Sequence, residues 1–248
     1  MNHQPSLSIF FPCYNDKGTI AMLVVKAKDT AEKLTDSYEV IVIDDGSTDG
    51  SREALRELQE KTAYLRLIFH EKNQGYGAVL QDGFKAANKE LVFYTDGDGQ
   101  YDVKELPLLW EKMHDDVDVV NGYKLKRHDP WHRVLIGKLY QRVMNFAFQL
   151  PIRDPDCDFR LIRRSVFDKI ALTRSTGTVI IEMVKKIQLA GFRFTEVGVH
   201  HYERTYGKSQ FFSFRRVAGT LWQLIFLWLE LMLGWGKKFD KHSQSRDT

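Results

Sequence analysis

An α/β fold with a mostly parallel sheet is predicted by three features of this chain. Short apolar, β-prone runs alternate with longer segments of helical periodicity. Each run ends in a polar loop containing Gly or Pro. The 248 residues are enough for one large domain with a substantial core.

The elements follow in order. Leu7 to Phe11 is a first strand stopped by Pro12, followed by the loop Pro12-Cys-Tyr-Asn-Asp16. A helix from about Lys17 to Leu34 has Asp16 placed as its cap. Tyr38 to Ile43 is a second strand and runs into Asp44-Asp45-Gly-Ser-Thr-Asp49. Ser51 to Lys61 is helical, and Leu65 to Phe69 is a third strand that leads to Asn73-Gln-Gly75-Tyr-Gly77. Ala78 to Asn88 is a helix, and Leu91 to Thr95 is a fourth strand. Alternation of this kind implies right-handed crossovers, and the loops at the carboxyl ends should gather on one edge, where ligands bind.

The fourth strand ends in Asp96-Gly-Asp98-Gly-Gln100, two carboxylates one residue apart with an amide beyond. Such a hard oxygen site suits Mg²⁺ or Mn²⁺ when a substrate diphosphate supplies further ligands. The EF-hand template is excluded, because its sixth position would be Tyr101 and its twelfth Pro107. The glycine loop lacks G-x-G-x-x-G and is followed by no Walker lysine, so dinucleotide and P-loop sites are poor candidates.

Composition narrows the class. Thirty-six basic and 33 acidic side chains leave a net charge of +3, too balanced to argue for nucleic acid. The two cysteines, Cys13 and Cys157, make no disulfide framework and suit a reducing compartment. The N-terminus carries no signal-peptide pattern.

The second half begins with a strand, Val117 to Asn121, and a basic loop with aromatics from Gly122 to Arg133. His132 to Leu150 is an amphipathic helix, which either covers the sheet or lies in a membrane surface. Asp154 to Arg164 packs three acids and three arginines into eleven residues, as a phosphate-binding loop or a salt-bridge network. Ile180 to Leu189 is helical with Glu182 near its start, Phe192 to His200 is a last strand, and a basic loop runs from Glu203 to Gln210. Val217 to Trp235 is the most apolar stretch. A carboxylate at mid-depth is costly in lipid, so Glu230 argues for an in-plane or obliquely docked helix with its apolar face on lipid and its polar stripe (Thr220, Gln223, Glu230) on protein, ahead of a helix docked on the domain or a dimer partner and of a single membrane span. Arg215, Arg216, Lys237 and Lys238 suit anionic headgroups, and the tail from Lys238 is polar.

Taken together, Pro12–Asp16, Asp44–Asp49, Asp96–Gln100, Asp154–Arg164, Glu182 and Arg204–Gln210 resemble the family 2 inverting glycosyltransferases. That resemblance implies the GT-A fold, a Rossmann-like, mostly parallel sheet flanked by helices, here with a C-terminal amphipathic or membrane-associated helix. The later motifs are similar to dolichol-phosphate mannose synthase and the bacterial polyprenyl-phosphate sugar transferases. The chain departs from that pattern at Asp158, often Gly there, and at Asp16, often Glu.

The resemblance implies a catalytic domain over 1–212, with a nucleotide-sugar half to about 122 and an acceptor half beyond, then a membrane-associated segment over 213–248. It implies that Pro12, Tyr14, Asp16 and Asp45, with Asp44 equally placed, contact base and ribose of a GDP- or UDP-sugar. Asp96, Asp98 and Gln100 would hold Mg²⁺ or Mn²⁺. Arg127, Arg133, Arg160 and Arg164 would hold the phosphate of a polyprenyl acceptor, while Arg204 and Ser209 close over the diphosphate. Asp98, Asp154, Asp156, Arg160 and Arg204 form the catalytic set. The expected setting is the cytoplasmic membrane face, peripheral or weakly anchored, with a homo-oligomer allowed. Two other readings stand beside this one. A family 2 enzyme with a hydroxyl acceptor would need a base, with Asp154 or Asp156 as candidate, and a silent nucleotide-sugar-binding protein would keep the fold without the chemistry.

Overall fold

The computed structural model describes residues 4–125, 131–204, 206 and 214–234; of residues 131–136, 138 and 214–218 only the backbone is described. The elements are β1 (Leu7–Cys13), α1 (Ile20–Ala31), β2 (Tyr38–Asp44), α2 (Ser51–Gln59), β3 (Leu65–Phe69), α3 (Tyr76–Ala86), β4 (Leu91–Thr95), α4 (Leu106–Trp110), β5 (Val119–Lys124), α5 (Trp131–Phe148), β6 (Phe159–Arg163), α6 (Val179–Leu189), β7 (Phe194–Val199) and α7 (Phe214–Leu233).

The strands form one seven-stranded sheet in the order β3-β2-β1-β4-β6-β5-β7. β3, β2, β1 and β4 run parallel, as do β5 and β7. β6 is antiparallel to both of its neighbours, so all the other strands point the same way. Every residue of β1 and β4 is buried, as expected of strands covered on both faces by helices.

Period-2 alternation sorts these side chains into two cores. Ile9, Phe11, Val42 and Phe93 pack with Leu23 of α1 and Leu106 of α4. Phe10, Ile41 and Tyr94 face the other way, against Phe84 of α3 and Met183 of α6. A third cluster joins α5, α6 and α7 through Met144, Phe148, Ile181, Leu224 and Leu227. No helix among the described residues is long and apolar enough to cross a membrane.

Three departures from the sequence expectation have physical causes. β6 was expected as a charged loop, because Phe-Arg-Leu-Ile-Arg offers no clean polar alternation. Its Arg160 instead occupies an inward position between core residues, 1% exposed. β5 continues to Lys124 by pairing with β7, three residues beyond the expected end. α1 starts at Ile20 after a turn in which the carbonyl of Asp16 accepts from Thr19 and Ile20. The Asp16 carboxylate is therefore not a helix cap and accepts from the Tyr14 amide at 3.0 Å instead.

Candidate active site

The strand order reverses between β1 and β4, and the crevice beyond their carboxyl ends is the natural ligand site of an open α/β sheet. The loops there are knitted together by backbone. Asp45 N donates to Cys13 O at 2.9 Å, Gly97 N to Pro12 O at 3.2 Å, and Thr19 Oγ1 to Gly97 O at 2.7 Å. Asn15 N donates to Ser47 Oγ, and Thr48 N returns to Asn15 Oδ1, both at 2.9 Å. Gly97 is required by this approach, since a Cβ there would stand 2.5 Å from Pro12 O. Tyr14 projects from the first loop, 39% exposed.

Asp44 and Asp45 are equivalent in sequence, and their environments separate them. Asp44 accepts from Ser47 N and from Arg52 Nε, and its Oδ2 is buried without a hydrogen-bond partner in the structure. Asp45 is saturated. It meets His70 Nδ1 at 2.7 Å, Gln74 N at 2.8 Å and Gly75 N at 3.0 Å, and so anchors the loop that opens α3.

The end of β4 collects acid. Asp96 accepts from the Tyr76 hydroxyl at 2.7 Å. Burial, and then the charges of Asp158 and Asp98, push its carboxyl well above the ordinary range. Burial also raises Asp98, against the opposing pull of Arg204. Asp16 is raised to about 6 by burial, opposed by the Tyr14 amide and reinforced by Asp98. Asp158 is raised to about 6 by burial, against the attraction of Arg160 and Lys124.

A strap after β7 closes over this cluster. His200 Nδ1 meets Glu105 at 2.9 Å, Gln100 Nε2 donates to Tyr202 O at 3.1 Å, and the Arg204 guanidinium donates to Asp98 Oδ2. A Cβ on Gly18 would stand 2.5 Å from the Tyr206 ring, so the strap also packs on the loop after β1. Among the described residues no group of three or more His, Cys, Asp or Glu forms a ready metal cage. The donor set nevertheless fits a divalent cation bound together with a diphosphate, which needs only one or two carboxylates from the protein. Arg204 supports that fit, because a cationic group already sits on Asp98.

The acceptor half corrects two expectations. Arg160 was expected to bind phosphate, but its guanidinium is spent inside the protein on Asn121 Oδ1, Tyr94 Oη and Pro155 O. Arg164 was expected there too, but it lies past the far end of β6, paired with Asp168 at 3.2 Å. Five strand residues carry the chain roughly 16 Å away from the site edge. Arg163 likewise caps carbonyls of Val117 and His114. Asp154 is buried and accepts from the Lys124 amide at 3.2 Å, while Lys124 Nζ donates to Asp156 O at 2.6 Å. Glu182 touches no expected ligand position. It is fully buried and binds Thr173 and Arg174 amides and Lys186 Nζ. Arg127 and Ser209 lie outside the described residues, as does the side chain of Arg133.

Two residues were not singled out by sequence. Lys124 reaches the site edge because β5 is longer than its apolar run. Tyr76 looks like a core aromatic until its hydroxyl is placed on Asp96.

Two measurements check these assignments. Arg160→Met should lower stability by about 3 kcal/mol or more, because it strands buried polar partners, and Arg164→Ala should change stability and activity by less than about 0.5 kcal/mol. Chemical denaturation with parallel activity assays reads both. For pH, a carboxylate raised from 3.8 to about 6 favours the folded state below its unfolded value and loses that contribution as pH rises through 6. Asp158→Asn should therefore gain stability over the parent between pH 4 and pH 7, read as a growing difference in Tm.

Comparison with known proteins agrees with this geometry. A family model described as "Glycosyl transferase family 2" matches residues 8–171. Similar solved structures include glucosyl-3-phosphoglycerate synthase from Mycobacterium tuberculosis in complex with Mn²⁺, UDP and phosphoglyceric acid. It has TM-score 0.70 and 16% identity, over 91% of this chain and 78% of that one. The same synthase with Mg²⁺ and UDP has TM-score 0.67 and 14% identity, over 91% and 79%. A mycobacterial protein has TM-score 0.69 and 16% identity, over 91% and 74%. At these identities the likeness shows the GT-A-like α/β fold. The family match, over more than half the chain, goes further: the chain belongs to glycosyl transferase family 2.

Proposed function

We propose that the protein is a metal-dependent inverting glycosyltransferase that moves a sugar from a GDP- or UDP-sugar to a polyprenyl or dolichyl phosphate at the cytosolic membrane face. The observation that carries the lipid acceptor is an apolar surface built by α5 and α7. Leu139, Val143 and Phe146 on α5, and Leu221, Trp222, Ile225 and Leu233 on α7, are exposed, with Phe146 at 88%. Soluble surfaces rarely gather so many large apolar groups without a partner. In sequence, Arg127 precedes α5 and Arg133 lies in its first turn, while Lys208 precedes α7 and Arg215 lies in its first turn. Such residues suit anionic headgroups and an acceptor phosphate.

On this reading the donor lies across the β1–β4 crevice. Exposed Tyr14 offers a face to the base, Pro12 and Asp16 line the ribose, and the Asp44–Asp45 pair shapes the wall behind. Asp96 and Asp98 would hold Mg²⁺ or Mn²⁺, with Gln100 beside them. The cation would neutralise the leaving diphosphate. UDP is the first donor base to test, since the solved neighbours carry it. The acceptor phosphate, with second pKa near 6, is already an oxyanion near neutral pH, so it needs positioning more than a base. Its oxygen forms the bond to the anomeric carbon as the bond to the nucleoside diphosphate breaks. Lys124 and Arg204 are described cations at this edge, and the family resemblance would add Arg127, Arg133 and the Ser209 hydroxyl.

A second reading, a small phosphorylated acceptor that reacts through a hydroxyl, is favoured by the phosphoglyceric acid complexes of the structural neighbours. It needs a base. Asp154 and Asp156 were the expected candidates, and Asp158, whose charge acts on Asp96 at the end of β4, is a further one.

Labelled UDP- and GDP-sugars, offered with Mn²⁺ and a short-chain polyprenyl phosphate, separate the readings. Label should enter the lipid extract, and Asp98→Asn should lower its rate by about a hundredfold or more. Transfer only to water-soluble hydroxy acids would favour the second reading and overturn the first.

A further inference from the structure

We infer that α7 positions the donor-side loops, through a chain of contacts from Glu230 to Asp96. This rests on the donor reading of the β1–β4 crevice. Two turns of α7 separate Gln223 from Glu230, so both fall on one face. Glu230 accepts from the guanidinium of Arg174, and Gln223 Oε1 accepts from the Thr176 hydroxyl. The segment they hold, 173–176, is gripped from the other side by buried Glu182, which accepts from Thr173 N at 3.0 Å, Thr173 Oγ1 at 2.6 Å and Arg174 N at 3.0 Å.

That segment abuts the start of α3 without slack. Gly77 N donates to Ser175 O at 2.9 Å, and Gln81 Nε2 donates to Arg174 O at 3.1 Å. A Cβ on Gly77 would stand 2.0 Å from Arg174 O, and one on Gly75 2.5 Å from Ser175 O. The residues so clamped reach both acidic loops, since Gln74 N and Gly75 N bind Asp45 and Tyr76 Oη binds Asp96 at 2.7 Å. Arg174, Thr176, Gln223 and Glu230 are thus positioning residues. They lie outside the crevice yet fix where Tyr76 holds Asp96. Because α7 also carries the exposed apolar face, its seating and the shape of the donor site are set by the same contacts.

The full chain carrying Glu230→Gln tests this with two readouts. Amide hydrogen exchange of residues 74–77 should speed up several-fold, and calorimetric titration with UDP in excess Mn²⁺ should show affinity weakened by about fivefold. The charge-swapped pair Arg174→Glu with Glu230→Arg should restore both, which simple loss of stability would not allow. Should Glu230→Gln fold poorly, Gln223→Ala reads the second contact. Parental exchange and parental affinity in these variants would overturn the inference. If the parent protein binds no UDP, the donor reading fails, and the exchange measurement still decides the linkage.

Discussion

Crowding of like charge at the carboxyl end of β4 is the constraint on which the rest of the site depends. Asp16, Asp96, Asp98 and Asp158 come from three separate loops and raise one another or are raised by burial. A fold does not gather such groups for its own stability, because each buried charge is destabilising without a counter-charge. Among the described residues Asp98 accepts from the Arg204 guanidinium and from the Gln100 amide at 3.0 Å, and Arg160 stands 4.0 Å from Asp158. The arrangement is therefore one that a cation and an anionic ligand together would complete.

The scaffold explains how that crowd is held. Buried apolar strands on both sides of the switch point fix where β1, β2 and β4 end, and backbone hydrogen bonds between their loops do the rest. The antiparallel β6 has a different part. It brings Asp158 up to the edge and buries Arg160 beneath it, where the guanidinium braces Tyr94 and Asn121. The strap from His200 to Arg204 then crosses the front. Loops that close over a site in this manner exclude water and complete the charge set.

Much of this was legible in the chain, for reasons that also explain the rest. Leu7–Phe11 and Leu91–Thr95 announce buried strands because both of their faces are covered, and the polar loops after them must share an edge. β6 was not legible, since an arginine at an inward position breaks the pattern that marks a strand. That one misreading misplaced Arg160 and Arg164 together. Asp44 and Asp45 could not be told apart because successive strand residues point to opposite faces, and only packing shows which face holds His70. The docked polar stripe of α7 was legible from Glu230, whose burial in lipid is unfavourable. Its partner Arg174 was not, being 56 positions away in an unremarkable loop.

Manganese binding followed by electron paramagnetic resonance tests the central claim most directly. The free Mn²⁺ signal should fall when protein is added, fall much further when UDP is present, and recover in Asp98→Asn under both conditions. Equal Mn²⁺ binding by the parent protein and Asp98→Asn, or UDP binding that is indifferent to chelator, would contradict the account.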